Sequence, residues 1–415
     1  MTASGGGGRG EDPVATAPNG PGLDPRGAGS LDVSDGEASR EERLPAREEV
    51  DEVVPGVLRV QLPIMLPGLG HVNCYVLEDE RGAALVDPGL PDPESARVLA
   101  TRLEDIGIPL RRIHTVLVTH SHPDHFGGAG RLKIEHHCEV VAHEDFSTPF
   151  DAQPVDADLV ELETADPVDP AAAMGDAEMP ELDGPHNQHL AAILFGNGPI
   201  PEIPARSTPY GEDGFRPGRG ELEWMRSWDD MSKKGLLSLR PTRRVTDEQV
   251  LTLGGREWQA LHTPGHTGDH LCLWDQDSGV LLSGDHVLPT ITPHISGLTP
   301  SPDALAEFVT ALHRVAGLPG VSTVLPAHGL PFRDLGERVD AIIAHHDERL
   351  ELIERIVSGH DSAGVRVVSR ELFKKRSWGP MAESETYAHL EHLRLGGRLE
   401  RSTDARGRFT YSLPR

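Results

Sequence analysis

The stretch Thr119-His120-Ser121-His122-Pro123-Asp124-His125 constrains this chain more than any other. Three imidazoles and a carboxylate crowd together directly after the apolar, β-branched run Ile113-His114-Thr115-Val116-Leu117-Val118. A strand that ends in a tight turn can aim alternate side chains at a common point. Imidazole nitrogen and carboxylate oxygen are the donors a borderline divalent metal prefers. Four such groups are more than one ion usually takes from one loop, so the spacing predicts two adjacent metals. Isolated histidine pairs are expected by chance with 22 His in 415 residues, but this order after a buried strand is not.

The same device recurs before and after it. Ala83-Ala84-Leu85-Val86 reads as a strand closed by Asp87-Pro88-Gly89. Trp258 to Leu261 runs into His262-Thr263-Pro264-Gly265-His266-Thr267-Gly268-Asp269-His270, followed by the strand Leu271-Cys272-Leu273-Trp274. Val280 to Ser283 ends in Gly284-Asp285-His286, and Val321 to Leu325 ends in Pro326-Ala327-His328-Gly329. Strand ends that repeatedly deliver His or Asp into Gly- and Pro-rich turns predict one composite site. Around them, Val57 to Val60, Val72 to Leu77, Glu139 to Ala142 and Val250 to Leu253 read as further strands. Pro93 to Gly107, with Ala96, Leu99, Leu103 and Ile106 on one face, and Asp303 to Ala316 read as helices.

A chain of this length suggests about two domains with tails or insertions. Residues 1–52, rich in Gly, Pro, Asp and Glu, are expected to be a disordered tail. A catalytic domain is expected over 53–335, interrupted by a surface insertion at 145–244, because Asp151 to Ala205 holds no Lys or Arg and many Pro. Within it, Glu221 to Gly235 has Trp224, Trp228 and Met231 at helical spacing, a lid or simply an anchor to the body. Residues 340–415 predict three helices (Ala341 to Val357, Arg370 to Lys375, Met381 to Leu395) and a hairpin, Arg398 to Arg401 with Arg408 to Leu413. That grammar is a winged-helix module. From Ala341 to Arg415 it carries 13 Lys or Arg against 11 Asp or Glu, too small a basic excess for a phosphate-tracking surface despite Arg398, Arg401, Arg406 and Arg408 around the wing. Packing or pairing into a homodimer is the preferred role of the module, and RNA contact the second. The formal charge of -27 argues against general affinity for nucleic acid or anionic membrane. No apolar run approaches the roughly 20 residues of a membrane span. The absence of an apolar leader, with only Cys74, Cys138 and Cys272 as thiols, predicts a cytoplasmic protein.

In order, His-x-His-x-Asp-His, Thr-Pro-Gly-His-Thr, Gly-Asp and Pro-Ala-His-Gly closely resemble the metallo-β-lactamase superfamily, from about Val53 to Leu335 without the insertion. The resemblance implies an α/β fold, an αββα sandwich with metals at one edge between the sheets. It implies His120, His122 and His266 on one metal, Asp124, His125 and His328 on the other, and Asp285 bridging. Asp87 would orient a ligand imidazole. Two divalent ions, zinc first and iron or manganese as alternatives, would share a water and lower its pKa to about 7. The resulting hydroxide would attack an ester, thioester, lactone or phosphodiester, with Asp124, His120 and Asp285 as the catalytic candidates. True β-lactamases of this fold lack an aspartate bridge and flavodiiron-type relatives carry a carboxylate where His122 stands, so both activities are disfavoured. What remains looks like glyoxalase-II-type thioesterases and the nuclease branches, including β-lactamase-like-protein-2-type endoribonucleases with a winged helix. The preferred expectation is a small thioester, ester or lactone as substrate, with an endoribonuclease as the alternative. His270 and His286 are expected to pack beside the ligands. His136, His137, His345 and His346 read as surface or packing residues, and Cys74 and Cys272 as core.

Overall fold

Strands whose two faces are both apolar must be covered on both sides, and that requirement organises this molecule. A computed structural model describes residues 40–66, 68–148, 208, 210–211, 231 and 236–414. A seven-stranded sheet runs in chain order: β1 (Asp51–Val54), β2 (Val57–Leu66), β3 (Leu69–Asp79), β4 (Gly82–Val86), β5 (Ile113–Leu117), β6 (Glu139–His143) and β7 (Arg243–Val245). Pairing is antiparallel from β1 to β4 and parallel from β4 to β7. Alternation in β4 divides the labour. Ala83 and Leu85 face helices α1 (Pro93–Asp105) and α2 (Pro123–His136), whereas Ala84 and Val86 face a second sheet.

That second sheet has five strands in the order β12-β11-β10-β9-β8, formed by β8 (Val250–Leu253), β9 (Arg256–His262), β10 (Leu271–Asp275), β11 (Val280–Gly284) and β12 (Thr323–Pro326). Between the sheets lie Tyr75, Leu77, Leu117, Val141, Trp258, Leu271, Leu273 and Leu282, all buried. Helix α3 (Ala304–Ala316) covers the outer face of the second sheet through Leu305, Phe308 and Leu312 against Leu261, Cys272 and Trp274. The layers are therefore helix, sheet, sheet, helix, the expected sandwich. Asp87, the 119–122 turn, the 263–270 loop, Asp285 and His328 all follow strand ends between the two sheets.

The expected tail is corrected at its C-terminal end. Residues 1–39 lie outside the described residues, but residues 40–52 are built into the fold. Glu42 is fully buried, and its Oε1 accepts from Thr290 N at 3.2 Å and Thr290 Oγ1 at 2.7 Å. Leu44 O lies 2.9 Å from His71 Nδ1, and a Cβ on Gly70 would sit 2.2 Å from that carbonyl. Composition averages miss such an anchor, because one acidic side chain with partners can be buried where a run of them cannot.

The expected break near 335–340 is also corrected. One helix, α4 (Leu335–Ser358), runs through it without a linker. Its buried Leu335, Val339, Ile342, Leu350, Ile353 and Val357 keep helical spacing throughout and join the cluster that holds α3. Then follow β13 (Ala363–Gly364), α5 (Val365–Leu372), α6 (Pro380–Leu395), β14 (Glu400–Thr403) and β15 (Phe409–Ser412), with β13-β15-β14 as a small sheet. The helix expected at Glu221 to Gly235, with Trp224 and Trp228, lies outside the described residues. Met231 is described and buried in the core beneath the first sheet. Among the described residues no helix is long and apolar enough to cross a membrane.

Candidate metal centre

Local structure explains how one short motif presents four donors. β5 ends at Leu117, His122 takes extended backbone as the N-cap of α2, and Pro123 occupies the first helical turn. Proline suits that position because it has no N–H to leave unsatisfied. The motif is thus half turn and half helix, with Asp124 and His125 in the first turn of α2. Two groups of donors result: His120, His122, His266 and Asp285, and Asp124, His125 and His328, with donor atoms within 4.8 Å of one another in each. Every residue singled out as a ligand from the sequence is brought to this one place.

In the first group His122 Nδ1 lies 3.0 Å from both His120 Nε2 and His266 Nε2. Ligands on one tetrahedral zinc with bonds of about 2.0–2.1 Å sit roughly 3.3 Å apart, so this spacing suits one ion. In the second group Asp124 Oδ2 is 3.5 Å from both His125 Nε2 and His328 Nε2. Asp285 joins the two. Its Oδ2 is 3.4 Å from His266 Nε2 and 3.6 Å from His125 Nε2, while Oδ1 is 3.4 Å from His328 Nε2.

The far side of four of the five imidazoles is held. Asp87 Oδ2 accepts from His125 Nδ1 at 2.8 Å, the orienting role expected of Asp87. Thr119 Oγ1 donates to Asp87 Oδ2 at 2.7 Å and therefore accepts from His120 Nδ1 at 3.0 Å, leaving the His120 Nε2 lone pair free to ligate. His266 Nδ1 donates to His294 O at 2.7 Å, and His328 Nδ1 to His71 O at 2.8 Å.

Burial makes the charge balance acute. Among the described residues the ion-pair partners of Asp87, Asp124 and Asp285 are all histidines. Burial and then repulsion from neighbouring imidazoles hold His120 and His122 well below the usual histidine range. For His125 burial opposes charge, but Asp124, Asp285 and Asp87 outweigh it and raise the imidazole; Asp285 likewise raises His328. Burial disfavours ionised Asp285, yet His328 and His125 keep its carboxyl far below the usual range. His125 Nε2, His328 Nε2 and Asp285 Oδ1 are buried with no hydrogen-bond partner. Leaving each unsatisfied costs about 1–3 kcal/mol, and a shared cation satisfies all three. The donor set fits divalent metal.

Several supporting residues escaped the sequence reading. Asn73 donates through Nδ2 to Pro326 O and Gly329 O, and Tyr75 Oη to Pro326 O, so β3 fixes the turn that carries His328. An asparagine inside the apolar run Val72 to Val76 was the available signal. Ser121 Oγ donates to buried Asp269 at 3.0 Å, tying the two histidine loops together. His270 accepts the Asp285 N–H at Nε2 (3.0 Å), and a Cβ on Gly284, whose φ is +51°, would lie 2.6 Å from that nitrogen. His286 instead packs on Phe308, ring centroids 5.0 Å apart. Cys74, Cys138 and Cys272 are buried and form no disulfide.

Comparison with known proteins follows the same lines. The family described as "Metallo-beta-lactamase superfamily" matches residues 67–328, more than half of the chain. "Lactamase-like protein aptB" of Emericella nidulans is 23% identical over 79% of this chain and 74% of its own length. "Probable metallo-hydrolase YqjP" of Bacillus subtilis is 23% identical over 81% of this chain and 92% of its own. Several further relatives are matched over less than half of their own length. A crystal structure of a metallo-beta-lactamase family protein from Thermus thermophilus is similar with a TM-score of 0.62 and 25% identity, covering 87% of this chain and 100% of that one.

Proposed function

This chain belongs to the metallo-β-lactamase superfamily, and from that premise we propose that it is a dinuclear metal-dependent hydrolase of a small thioester, ester or lactone. The observation that carries the reading is Asp285, whose carboxylate reaches both donor groups, Oδ1 toward His328 and Oδ2 toward His266 and His125. His120, His122 and His266 would hold one ion, Asp124, His125 and His328 the other, with Asp285 shared. Two ions there supply Lewis acidity, which brings water toward ionisation at neutral pH and neutralises charge developing on an acyl oxygen. The chain's own groups do the rest. Thr119 and Asp87 fix the tautomers and ring planes of His120 and His125. Asp124, between two imidazoles at the helix terminus, is the carboxylate placed to take up a proton and return it to a leaving group. Zinc suits the imidazole-rich set, and iron or manganese are the alternatives.

A small acyl substrate is preferred over RNA because three of the four arginines around the wing are engaged locally. Arg398 pairs with Glu354, Arg401 with Glu391 and Arg408 with Asp404. We read α4 to α6 and β13 to β15 as a winged helix that packs on the body or pairs two copies. Buried thiols without a disulfide fit a cytoplasmic setting. The test loads metal-free protein with zinc, iron or manganese and screens acyl thioesters, esters, lactones and single-stranded RNA. Acyl turnover is expected, falling ~10³-fold or more in Asp285→Ala, since metal stabilisation is worth several kcal/mol. Cleavage of RNA alone, lost in the same variant, assigns the nuclease reading instead. No turnover by metal-loaded protein removes both.

A further inference from the structure

The segment from His286 to Asp303 links the Asp285 turn to α3, and the C-terminal helices grip it repeatedly. Arg338 on α4 donates to Leu288 O and Ile291 O at 2.6 and 2.7 Å. Ser384 on α6 accepts the Gly297 N–H at both its carbonyl and its hydroxyl, each at 3.2 Å. A Cβ on Gly297 would lie 2.7 Å from the Tyr387 ring and 2.8 Å from Ser384 O, so the loop rests directly on α6. At its centre stands His294. Its carbonyl accepts from His266 Nδ1 at 2.7 Å, and its own Nδ1 lies 3.4 Å from Glu385 Oε2. Glu385 is buried, and Arg349 Nη1 donates to its Oε1 at 2.6 Å. Burial disfavours charge on Glu385, but the Arg349 guanidinium holds it far below the usual carboxylate range.

We infer that Glu385 is a positioning residue for His266, acting through the imidazole and carbonyl of His294. The C-terminal helices thereby set the geometry of one half of the metal centre. The chain of contacts is continuous: Arg349 fixes the Glu385 carboxylate, the carboxylate accepts from His294 Nδ1, and His294, held at its side chain, presents its carbonyl to His266 Nδ1. An imidazole whose far nitrogen is bound to an acceptor is fixed in tautomer and ring plane. The acceptor here is a loop carbonyl, which is only as fixed as whatever clamps its loop. This gives α4 and α6 a task at the site that needs neither RNA nor a second copy.

The inference rests on metal binding by His120, His122, His266 and Asp285, and the experiment separates the two. Metal-free wild type, Glu385→Ala, Glu385→Gln and His294→Ala are titrated with zinc against a competing chelator and with cobalt(II), read by visible absorption. Glu385→Ala is expected to weaken one of the two ions by ~10–100-fold, leave the other unchanged, and shift the cobalt spectrum. Glu385→Gln, which keeps an acceptor for His294 Nδ1, should recover most of the affinity. His294→Ala keeps the carbonyl but frees it, and should match Glu385→Ala. Glu354→Gln, which breaks only the pair with Arg398, should bind like wild type. A wild type that binds no metal removes the hydrolase reading itself. A folded Glu385→Ala with wild-type affinities and spectrum overturns the inference alone. Should Glu385→Ala not fold, His294→Ala decides: a loss of ten-fold or more at one ion supports the link, and unchanged binding overturns it.

Discussion

The two donor groups of the candidate metal centre are built from the same residue types and solve opposite problems. Around His120, His122 and His266 the imidazoles outnumber the carboxylate, and burial with mutual repulsion keeps His120 and His122 unprotonated. The far-side acceptors of His120 and His266 are neutral oxygens, Thr119 Oγ1 and His294 O. Around Asp124, His125 and His328, with Asp285 shared, carboxylates match imidazoles in number, Asp87 adds a third carboxylate behind His125, and His125 and His328 are drawn toward protonation. One half thus offers bare lone pairs, and the other offers negative charge that calls for cations. Softer imidazole-rich sets and harder carboxylate-rich sets select ions differently, which is how neighbouring sites can take different affinities from one short motif.

The largest effects come from removing one ligand from each half. His266→Ala and His328→Ala should each abolish turnover, by ~10³-fold or more, since both ions contribute to the same step. Their metal contents should differ in kind: each variant keeps the ion of the untouched half, whereas Asp285→Ala weakens both. Metal-to-protein ratios after equilibration with limiting chelator measure this. If His266→Ala and His328→Ala lose both ions alike, the centre is one cooperative unit and the division into halves fails.

A smaller effect sharpens the division. Asp87 Oδ2 bonds the far nitrogen of His125 and also takes the Thr119 hydroxyl, while its Oδ1 accepts the Thr119 N–H at 2.8 Å. In Asp87→Asn the charge behind His125 disappears while the shape stays. Affinity of the carboxylate-rich half should fall ~10–100-fold, with the imidazole-rich half changing less, because Thr119 still stands between Asp87 and His120. Equal weakening of both halves would show that Asp87 supports the whole turn rather than one ligand.

What the sequence disclosed tracks how local each cause is. The candidate ligands were legible because each lies at or just beyond the end of an apolar strand, within a few residues of Gly or Pro, a signal that needs no partner. Asp87 was legible for the same reason. His294 and Glu385 were not, since neither stands in a motif and their relation spans two elements far apart in the chain. Asn73 left a trace as a polar residue in an apolar strand, but the trace does not say that it fixes the His328 turn. The sandwich was legible only through the resemblance of the ordered motifs to a known family, and the two stacked sheets bear it out. The unbroken α4 was not legible, because the pattern changes near Asp340 and only the structure shows Leu335 and Val339 continuing the same buried face.

The smallest effect comes from a third histidine group, which serves as the control for the other two. His143 on β6 stacks on His262 at the end of β9, ring centroids 4.0 Å apart and planes 14° apart. Burial first, and then repulsion from His262, brings His143 down to about 4, outweighing the opposing pull of Asp145 and Asp247 and joined by a small push from Arg244. Neither ring belongs to the two donor groups. An unfolded histidine titrates near 6.5. Between about pH 6.5 and 4 the unfolded chain therefore binds a proton that folded His143 refuses, so this group's contribution to stability falls as pH falls. In metal-saturated protein, where the site imidazoles are ligated, the melting temperature should drop between pH 7 and 5. His143→Gln should flatten that drop by a few degrees while leaving metal content unchanged. An undiminished pH slope in His143→Gln would move the acid sensitivity to the metal centre, and the contrast between its halves would then have to be measured at each pH separately.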